Sequence, residues 1–306
     1  MCGISGIIGN HYDSNVLLKM IETQSHRGPD SFGKYVEKGA CLGHNRLSIL
    51  DLSEAANQPF IDEKERYIIV FNGEIYNYLE VRQELEKNGS KFCTKTDTEV
   101  ILKAYERYGK DCLQYFNGMF AFCIWDRSDN SLFLARDRLG VKPLYYYHAG
   151  NEFMFSSEIK AIRKHKNDFT HNSSLIDSYM TFGYVPGEDT LLNNVKRMLP
   201  GHYAILKDNN LDIVQYWDVN YDQSEDLGED YYVNKLGSLL DDSLSLRLRS
   251  DVPLGVFLSG GLDSSCVVAL LADKVNKPIK PFSVAYDFGQ EYNETRYARI
   301  IAKKFN

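Results

Sequence analysis

A change of pattern late in the chain constrains the fold of this 306-residue sequence more than any other feature. Up to about residue 207, short strand-like runs alternate with turn chemistry. After about residue 231, longer apolar segments follow in the order helix, strand, turn, helix, strand, helix. Between them, from Asp208 to Asp230, the sequence turns polar and acidic (DNNLD, then VNYDQSEDLGED). The two patterns call for two different sheets, and the length alone suggests about two domains. The expected division is a first domain over 2–215, a linker over 216–230 and a second domain opening at 231–306.

The first part predicts strands at Gly3–Ile8, Ala40–Leu50, Tyr67–Phe71, Met119–Trp125, Leu132–Ala135 and Phe153–Ser156. Turn signals lie at Arg27–Asp30, Asn72–Gly73, Asp129–Asn130 and Gly150–Asn151. Two helices are expected: Tyr78–Asn88, closing on Gly89, and Asp97–Tyr108, opened by the capping-box spacing of Thr96 to Glu99 and stopped at Gly109. Aromatic runs at Tyr145–Tyr147 and Phe153–Phe155 read as sheet core, and Trp217 is expected to pack on the first domain. The second part predicts a helix from Tyr232 to about Leu248, a strand at Val252–Leu258, a helix at Cys266–Leu271 and a strand at Phe282–Tyr286. A last helix carries the stripe Ala298, Ile301, Ala302, Phe305. This alternation signals a parallel sheet with covering helices. Two parallel strands cannot bury their own faces, so the pattern reads as the start of a larger α/β domain.

Composition narrows the class. With 43% hydrophobic and 25% charged residues, the chain is neither disordered nor fibrous. A net charge of −7 offers no general attraction to nucleic acid or to an anionic membrane. No apolar run approaches the ~20 residues of a membrane span. The start, MCGISGIIGNHYD, lacks the basic flank and apolar stretch of a secretory signal, which predicts a cytoplasmic protein. The six cysteines (Cys2, Cys41, Cys93, Cys112, Cys123, Cys266) form no CxxC pair, which argues against zinc and disulfides and for reduced thiols.

Two places carry chemistry. Cys2 follows Met1 directly, and removal of Met1 would leave a thiol and a free α-amine on one residue. With an ordinary pKa of roughly 7.7–8.0, that amine can take the thiol's proton near neutrality. Farther on, SGGLDSS in VPLGVFLSGGLDSS (Val252–Ser265) stands between an apolar strand and an apolar helix, where backbone N–H groups can converge on an anion. GxxxxGK[ST] is absent, so this is no Walker A loop. Taken singly, plainer readings stand beside these: an inert or acetylated Cys2, a surface ion pair for Arg46, a hairpin turn at Asn72–Gly73, a solvated Glu74, and helix caps at Asp97 and Asp263.

Jointly, MCGISGIIG, HRGPD (His26–Asp30), HNRLSILD (His44–Asp51) and FNGEIYNY (Phe71–Tyr78) resemble the class II glutamine amidotransferases, over about Met1 to Tyr216. The resemblance implies an αββα sandwich of the N-terminal-nucleophile hydrolase type. It implies Cys2 as the thiol attacking the glutamine amide carbon, and Asn72 and Gly73 as the oxyanion hole. Arg46 would hold the glutamine α-carboxylate, Glu74 and Asp97 its α-ammonium, with Leu47 and Ile49 lining the same site. SGGLDSS resembles the PP-loop of ATP pyrophosphatases. That implies Ser259, Gly260, Gly261, Ser264 and Ser265 around pyrophosphate, Asp263 toward Mg²⁺, and Leu258 and Val284 beside the adenine of ATP.

The two motifs in this order resemble the glutamine-hydrolysing asparagine synthetases, as do GMFAFCIWD (Gly118–Asp126), ARDRLGVKPLYY (Ala135–Tyr146), SSEIKAI (Ser156–Ile162) and LPGHY (Leu199–Tyr203). The family's chemistry is glutamine hydrolysis feeding ammonia to an ATP-activated aspartate, with ATP and Mg²⁺ required. Glutamine, aspartate and ATP are then the partners, with no nucleic acid or membrane, and a homodimer as the assembly. Full-length members continue far beyond Asn306, so a polypeptide ending there is expected to hydrolyse glutamine without making asparagine. Two alternatives remain open at this point: amidation of another carboxylate such as a sugar acid, and a non-catalytic binding module of the same fold.

Overall fold

Side chains along the strands of the first part alternate between two faces, and the computed structural model shows what each face covers. It describes residues 1–9, 13–165, 169–221, 225–275, 278–286 and 293–305, and the chain divides into two compact units, Met1–Asn220 and Tyr221–Asn306.

In the first unit the strands are β1 (Gly3–Ile8), β2 (Ser31–Glu37), β3 (Ala40–Arg46), β4 (Phe60–Ile61), β5 (Tyr67–Ile75) and β6 (Gly118–Asp126). They continue as β7 (Ser131–Arg136), β8 (Tyr145–Ala149), β9 (Glu152–Ser156), β10 (Val195–Arg197), β11 (His202–Lys207) and β12 (Asn210–Gln215). The helices are α1 (Ser14–Thr23), α2 (Tyr78–Lys87), α3 (Asp97–Tyr108), α4 (Ile159–Ile162) and α5 (Ile176–Phe182). Two antiparallel sheets result, in the orders β10-β8-β9-β1-β3-β2 and β12-β11-β7-β6-β5-β4.

Period-2 patterning sorts the core into three layers. Ile4 and Ile8 of β1, Ala40 and Leu42 of β3, and Ile68 and Val70 of β5 fill the space between the sheets, with Ala121, Cys123 and Trp125 of β6. The alternate residues of the second sheet, Ile69, Phe71, Phe120, Phe122 and Phe133, pack under α2 and α3 through Val81, Leu85, Val100 and Ile101. Ile7, Cys41 and Met154 of the first sheet meet α1 and α4 through Leu17, Met20, Ile21 and Ile162. The layers are helix, sheet, sheet, helix, the expected αββα sandwich. Each large apolar side chain fully buried this way contributes about 1.5–3 kcal/mol. The aromatic runs are core, as expected: Tyr146, Phe153 and Phe155 point between the sheets.

Several expectations are corrected. Asn72 and Gly73 form no turn; they lie within β5, opposite Ala121 and Phe120 of β6. Gly73 is needed for close strand approach, since a Cβ there would sit 2.2 Å from the Met119 carbonyl oxygen. The strand expected over Ala40–Leu50 ends at Arg46, where its backbone leaves the ladder with β2. The polar stretch that opens at Asp208 starts with a hairpin, ahead of the expected linker: Asp208 and Asn209, at φ 50° and 63°, form the tight turn between β11 and β12. Trp217 lies within the first unit, its backbone N–H donating to the Gly201 carbonyl at 3.3 Å. Residues 222–224, inside the expected linker, lie outside the described residues.

The second unit comprises α6 (Glu229–Arg247), β13 (Gly255–Phe257), α7 (Leu262–Ala272), β14 (Lys280–Phe282) and α8 (Thr295–Phe305). β13 and β14 pair in parallel, and Leu258, Val268 and Ala298 form the centre of a small core. β14 comes earlier than the expected Phe282–Tyr286, because its partner is only three residues long before the chain turns at Ser259. α7 starts at Leu262 rather than Cys266: Gly261 is its cap residue, and Asp263 stands in its first turn, where a negative charge favours the helix dipole.

Candidate active site

Parity along three strands carries the inter-sheet face to one end of the sandwich, where its chemistry changes from apolar to polar. On β3 the face runs Ala40, Leu42, His44, Arg46, and on β5 Ile68, Val70, Asn72, Glu74. On β1 it runs Ile8, Gly6, Ile4, and one step before the strand stands Cys2, next to Arg46 because Gly3 pairs with Asn45. One concavity collects all eight residues expected at the first site: Cys2, Arg46, Leu47, Ile49, Asn72, Gly73, Glu74 and Asp97. Met1, Gln58 and Lys142 also line it.

The Cys2 thiol rests on the Leu47 backbone, accepting from its N–H at 3.4 Å and donating to its carbonyl at 3.6 Å. Burial pushes the thiol's pKa up, and the Leu47 N–H partly offsets that. At neutral pH the sulfur therefore keeps its proton and needs a base. Arg27 of HRGPD donates from Nε to the Cys2 carbonyl at 2.9 Å and from Nη1 to Glu158 at 3.2 Å, fixing the backbone behind the thiol.

The edge of β5 explains why Asn72 and Gly73 face the site. In an antiparallel ladder, successive residues direct their backbone groups to opposite sides. Phe71 N–H bonds Gln58 Oε1 at 2.7 Å and Ile75 N–H bonds Asp97 Oδ2 at 3.0 Å, both away from β6. Alternation puts the Gly73 N–H on that same side, between them. Asn72 is 1% exposed, and neither its Nδ2 nor its Oδ1 has a hydrogen-bond partner among the described residues. A buried amide without partners costs stability, on the order of 1–3 kcal/mol, unless a ligand supplies the missing bond.

Asp97 and Glu74 are brought together. Thr96, not Asp97, caps α3, accepting the Glu99 N–H at 3.2 Å, which frees the Asp97 carboxyl to reach β5. The expected capping box is half formed: the Glu99 carboxylate turns to the Cys93 and Thr94 N–H groups at 2.9 and 2.7 Å. Burial pushes both Glu74 and Asp97 above the usual carboxylate range, and for Glu74 the Asp97 charge adds to the effect while Lys142 opposes it. Such a pair favours an incoming cation. Lys142 is itself buried, which pulls its pKa down against the opposing charge of Glu74. Asp137 and Arg136 shape its loop: Asp137 Oδ2 accepts the Lys142 N–H at 3.0 Å, and Arg136 Nε donates to its carbonyl at 2.7 Å.

Arg46 is at the site but already engaged. Its Nη1 donates to Ser53 O and Asn57 Oδ1 at 2.9 and 2.8 Å, and its Nη2 to Asp51 O at 2.5 Å. It organises the loop after β3, so a carboxylate would have to meet its remaining edge or displace a carbonyl. The sequence assigned no role to Arg27, Gln58 or Lys142. Their signals were a charged residue inside a quoted string (HRGPD, GVKP) and, for Gln58, nothing but its place before Pro59.

In the second unit, Ser259 to Ser265 form a self-bonded turn. Gly261 N–H donates to Ser259 Oγ at 3.2 Å, Ser259 and Ser264 hydroxyls lie 3.0 Å apart, and Ser265 Oγ donates to Gly261 O at 2.7 Å. Gly260 has φ +88°, and a Cβ there would meet Tyr297 Cβ at 2.5 Å, so both conformation and packing require glycine. Leu258 is buried, its N–H on Phe282 O at 2.8 Å, whereas Val284 is exposed past the end of β14 rather than at a strand end. Leu258, Ser259 and Val284 share one concavity with Tyr286 and Thr295; Gly260, Gly261, Asp263, Ser264 and Ser265 lie in the adjoining turn and helix but do not line it. Among the described residues no three His, Cys, Asp or Glu side chains group as metal ligands.

A family model described as "Glutamine amidotransferase domain" matches residues 1–217. The chain belongs to that family. A second model, "Asparagine synthase", matches residues 235–306. "Asparagine synthetase [glutamine-hydrolyzing] 1" of Bacillus subtilis is 39% identical over 99% of this chain and 48% of its own length. "Putative asparagine synthetase [glutamine-hydrolyzing] 2" of Methanocaldococcus jannaschii is 40% identical over 100% of this chain and 63% of its own length. The chain thus spans about half to two-thirds of these relatives. The solved structure of glutamine phosphoribosylpyrophosphate amidotransferase from B. subtilis, complexed with ADP and GMP, superposes with TM-score 0.55 at 18% identity, covering 95% of this chain and 68% of that one. That likeness establishes the shared amidotransferase fold.

Proposed function

We propose that this chain is the glutamine-hydrolysing part, and the start of the ATP-using part, of an enzyme that amidates aspartate to asparagine. The observation that carries the reading is the meeting of the Cys2 thiol with an unpartnered Asn72 amide and the Gly73 edge N–H in one concavity. After loss of Met1, the Cys2 α-amine takes the thiol proton while sulfur bonds to the glutamine amide carbon. Asn72 Nδ2 and Gly73 N–H receive the oxyanion. The C–N bond breaks as the amine returns the proton to departing ammonia, leaving a γ-glutamyl thioester. Water, deprotonated by the same amine, then releases glutamate and restores the thiol. Glu74 and Asp97 receive the substrate α-ammonium, and Arg46 its carboxylate, with Leu47 and Ile49 beside it.

In the second unit, the Ser259–Ser265 turn would hold pyrophosphate, with Leu258 and Val284 beside adenine. Asp263, an exposed carboxylate in the first turn of α7, suits a Mg²⁺ that arrives with the nucleotide, since this ion takes one or two carboxylates plus phosphate oxygens. Bound Mg²⁺ would supply charge neutralisation of the phosphates. The reading includes cytoplasmic location, a homodimer, and small-molecule partners; the net charge of −7 supports the absence of nucleic acid. No helix among the described residues is long and apolar enough to cross a membrane.

Product analysis of the complete protein with ATP, aspartate and either glutamine or ammonia tests this. Asparagine should form from both donors, and the Cys2→Ala variant should lose only the glutamine-dependent route. Amide appearing on a uronate and never on aspartate would replace the acceptor.

The carboxyl pair gives a pH signature. Because both groups are held above the usual range, they begin to protonate at a higher pH than an ordinary carboxylate, near 4.3. Binding the α-ammonium needs them ionised, so KM for glutamine should rise as pH falls through that raised window. Glu74→Gln should raise KM about 10–100-fold, the scale of one charge-assisted bond, and flatten the dependence. Steady-state KM measured against pH in both proteins checks it, and an unchanged pH dependence in the variant would remove Glu74 from this role.

A further inference from the structure

Beyond Ile69 the outer edge of β5 has no strand beside it among the described residues, because its pairing with β4 stops at the Phe60–Ile69 pair. Two buried side chains stand in for the missing strand at Phe71. Gln58 Oε1 accepts the Phe71 N–H at 2.7 Å, and His44 Nε2 lies 3.1 Å from the Phe71 carbonyl oxygen. A carbonyl oxygen only accepts, so the His44 proton must sit on Nε2. The ring is 1% exposed, and burial lowers its pKa to about 4, which keeps it neutral at working pH. Gln58 Nε2 also donates to Thr98 Oγ1 at 3.1 Å, tying β5 to the first turn of α3 beside Asp97.

We propose that His44 and Gln58 are positioning residues for acyl transfer: they clamp both backbone groups of Phe71 and so aim the adjoining Asn72 amide and Gly73 N–H at the developing oxyanion. This rests on the reading of Asn72 and Gly73 given above. Burying an imidazole and a carboxamide costs desolvation unless they are paired, and here His44 Nε2 and Gln58 Oε1 find their partners on the one residue that precedes both donors, while His44 Nδ1 has none among the described residues. An oxyanion hole works only when its donors stand at hydrogen-bond distance from the oxygen of the transition state, so a small rotation of the Phe71–Asn72 peptide lowers kcat and leaves the Arg46 and Glu74 contacts alone.

The test compares His44→Phe, His44→Gln and Gln58→Leu in glutamine hydrolysis. A glutamine side chain can place its Nε2 donor near that of histidine; phenylalanine keeps the bulk without the donor. His44→Phe and Gln58→Leu should lower kcat about 10–100-fold with KM within about twofold, and His44→Gln should recover most of the loss. Alkylation of Cys2 by iodoacetamide, which forms no oxyanion, should proceed at the wild-type rate in every variant. Should His44→Phe fail to fold, His44→Asn, whose donor is too short to reach Phe71, replaces it. Wild-type kcat in folded variants would overturn the clamp, as would equal falls in kcat, substrate affinity and alkylation. Cys2→Ala and Asn72→Ala run beside them: if those two also keep turnover, the underlying reading of the site has failed instead.

Discussion

Replacing Cys2 by alanine is expected to abolish glutamate release, a loss of at least about 10⁴-fold in kcat, because the proposed mechanism runs through a covalent intermediate on its sulfur. Among the described residues the thiol's hydrogen bonds go to the Leu47 backbone, and alanine keeps the backbone there, so the fold should survive. Glutamine binding should survive too, since Arg46, Glu74 and Asp97 are untouched. The variant should therefore bind glutamine in calorimetry and release none of it as glutamate. Cys41, Cys112 and Cys123 are buried in the core, Cys93 and Cys266 are exposed, and none of the five lines this concavity. Glutamate release persisting in Cys2→Ala would assign the chemistry to another nucleophile.

Asn72→Ala carries the second-largest effect. Losing one oxyanion donor typically costs about 2.7–4 kcal/mol of transition-state stabilisation, a 10²–10³-fold fall in kcat. KM should change little, because the donor bonds an oxygen that becomes negative only during reaction. Stability should move the other way. The amide is buried without a partner, so its removal should leave the melting temperature of the ligand-free protein unchanged or raised. A merely structural asparagine would show the reverse, a lower melting temperature with kcat retained.

Much of the sandwich was legible because its central strands, such as β1, β6 and β9, are near-continuous apolar runs buried on both faces and bounded by turn residues. What escaped was set by tertiary context. Asn72–Gly73 has the composition of a hairpin turn, yet β6 runs opposite it and holds it in a strand. Asp208–Asn209 has the composition of a linker, yet it closes a hairpin. β2 is partly polar and carries little periodic signal, whereas α1 was overlooked although Leu17, Met20 and Ile21 stand at helical spacing behind the Asp13 cap. At the site, the strings located all eight expected residues, but not the state of Arg46, whose donors are spent on the loop from Leu50 to Asn57. Nor could sequence reveal that the edge of β5 is completed by side chains, since a missing strand leaves no mark in the residues of the strand that lacks it.

The central claim is that one residue supplies both sulfur and base. Peptide mapping after inactivation by a glutamine analogue bearing a diazoketone in place of the amide tests it most directly. The account predicts a single modified peptide that begins at Cys2 with a free amino end and carries the adduct on Sγ. An adduct on any other residue, or full inactivation of protein that still begins with Met1, would contradict it.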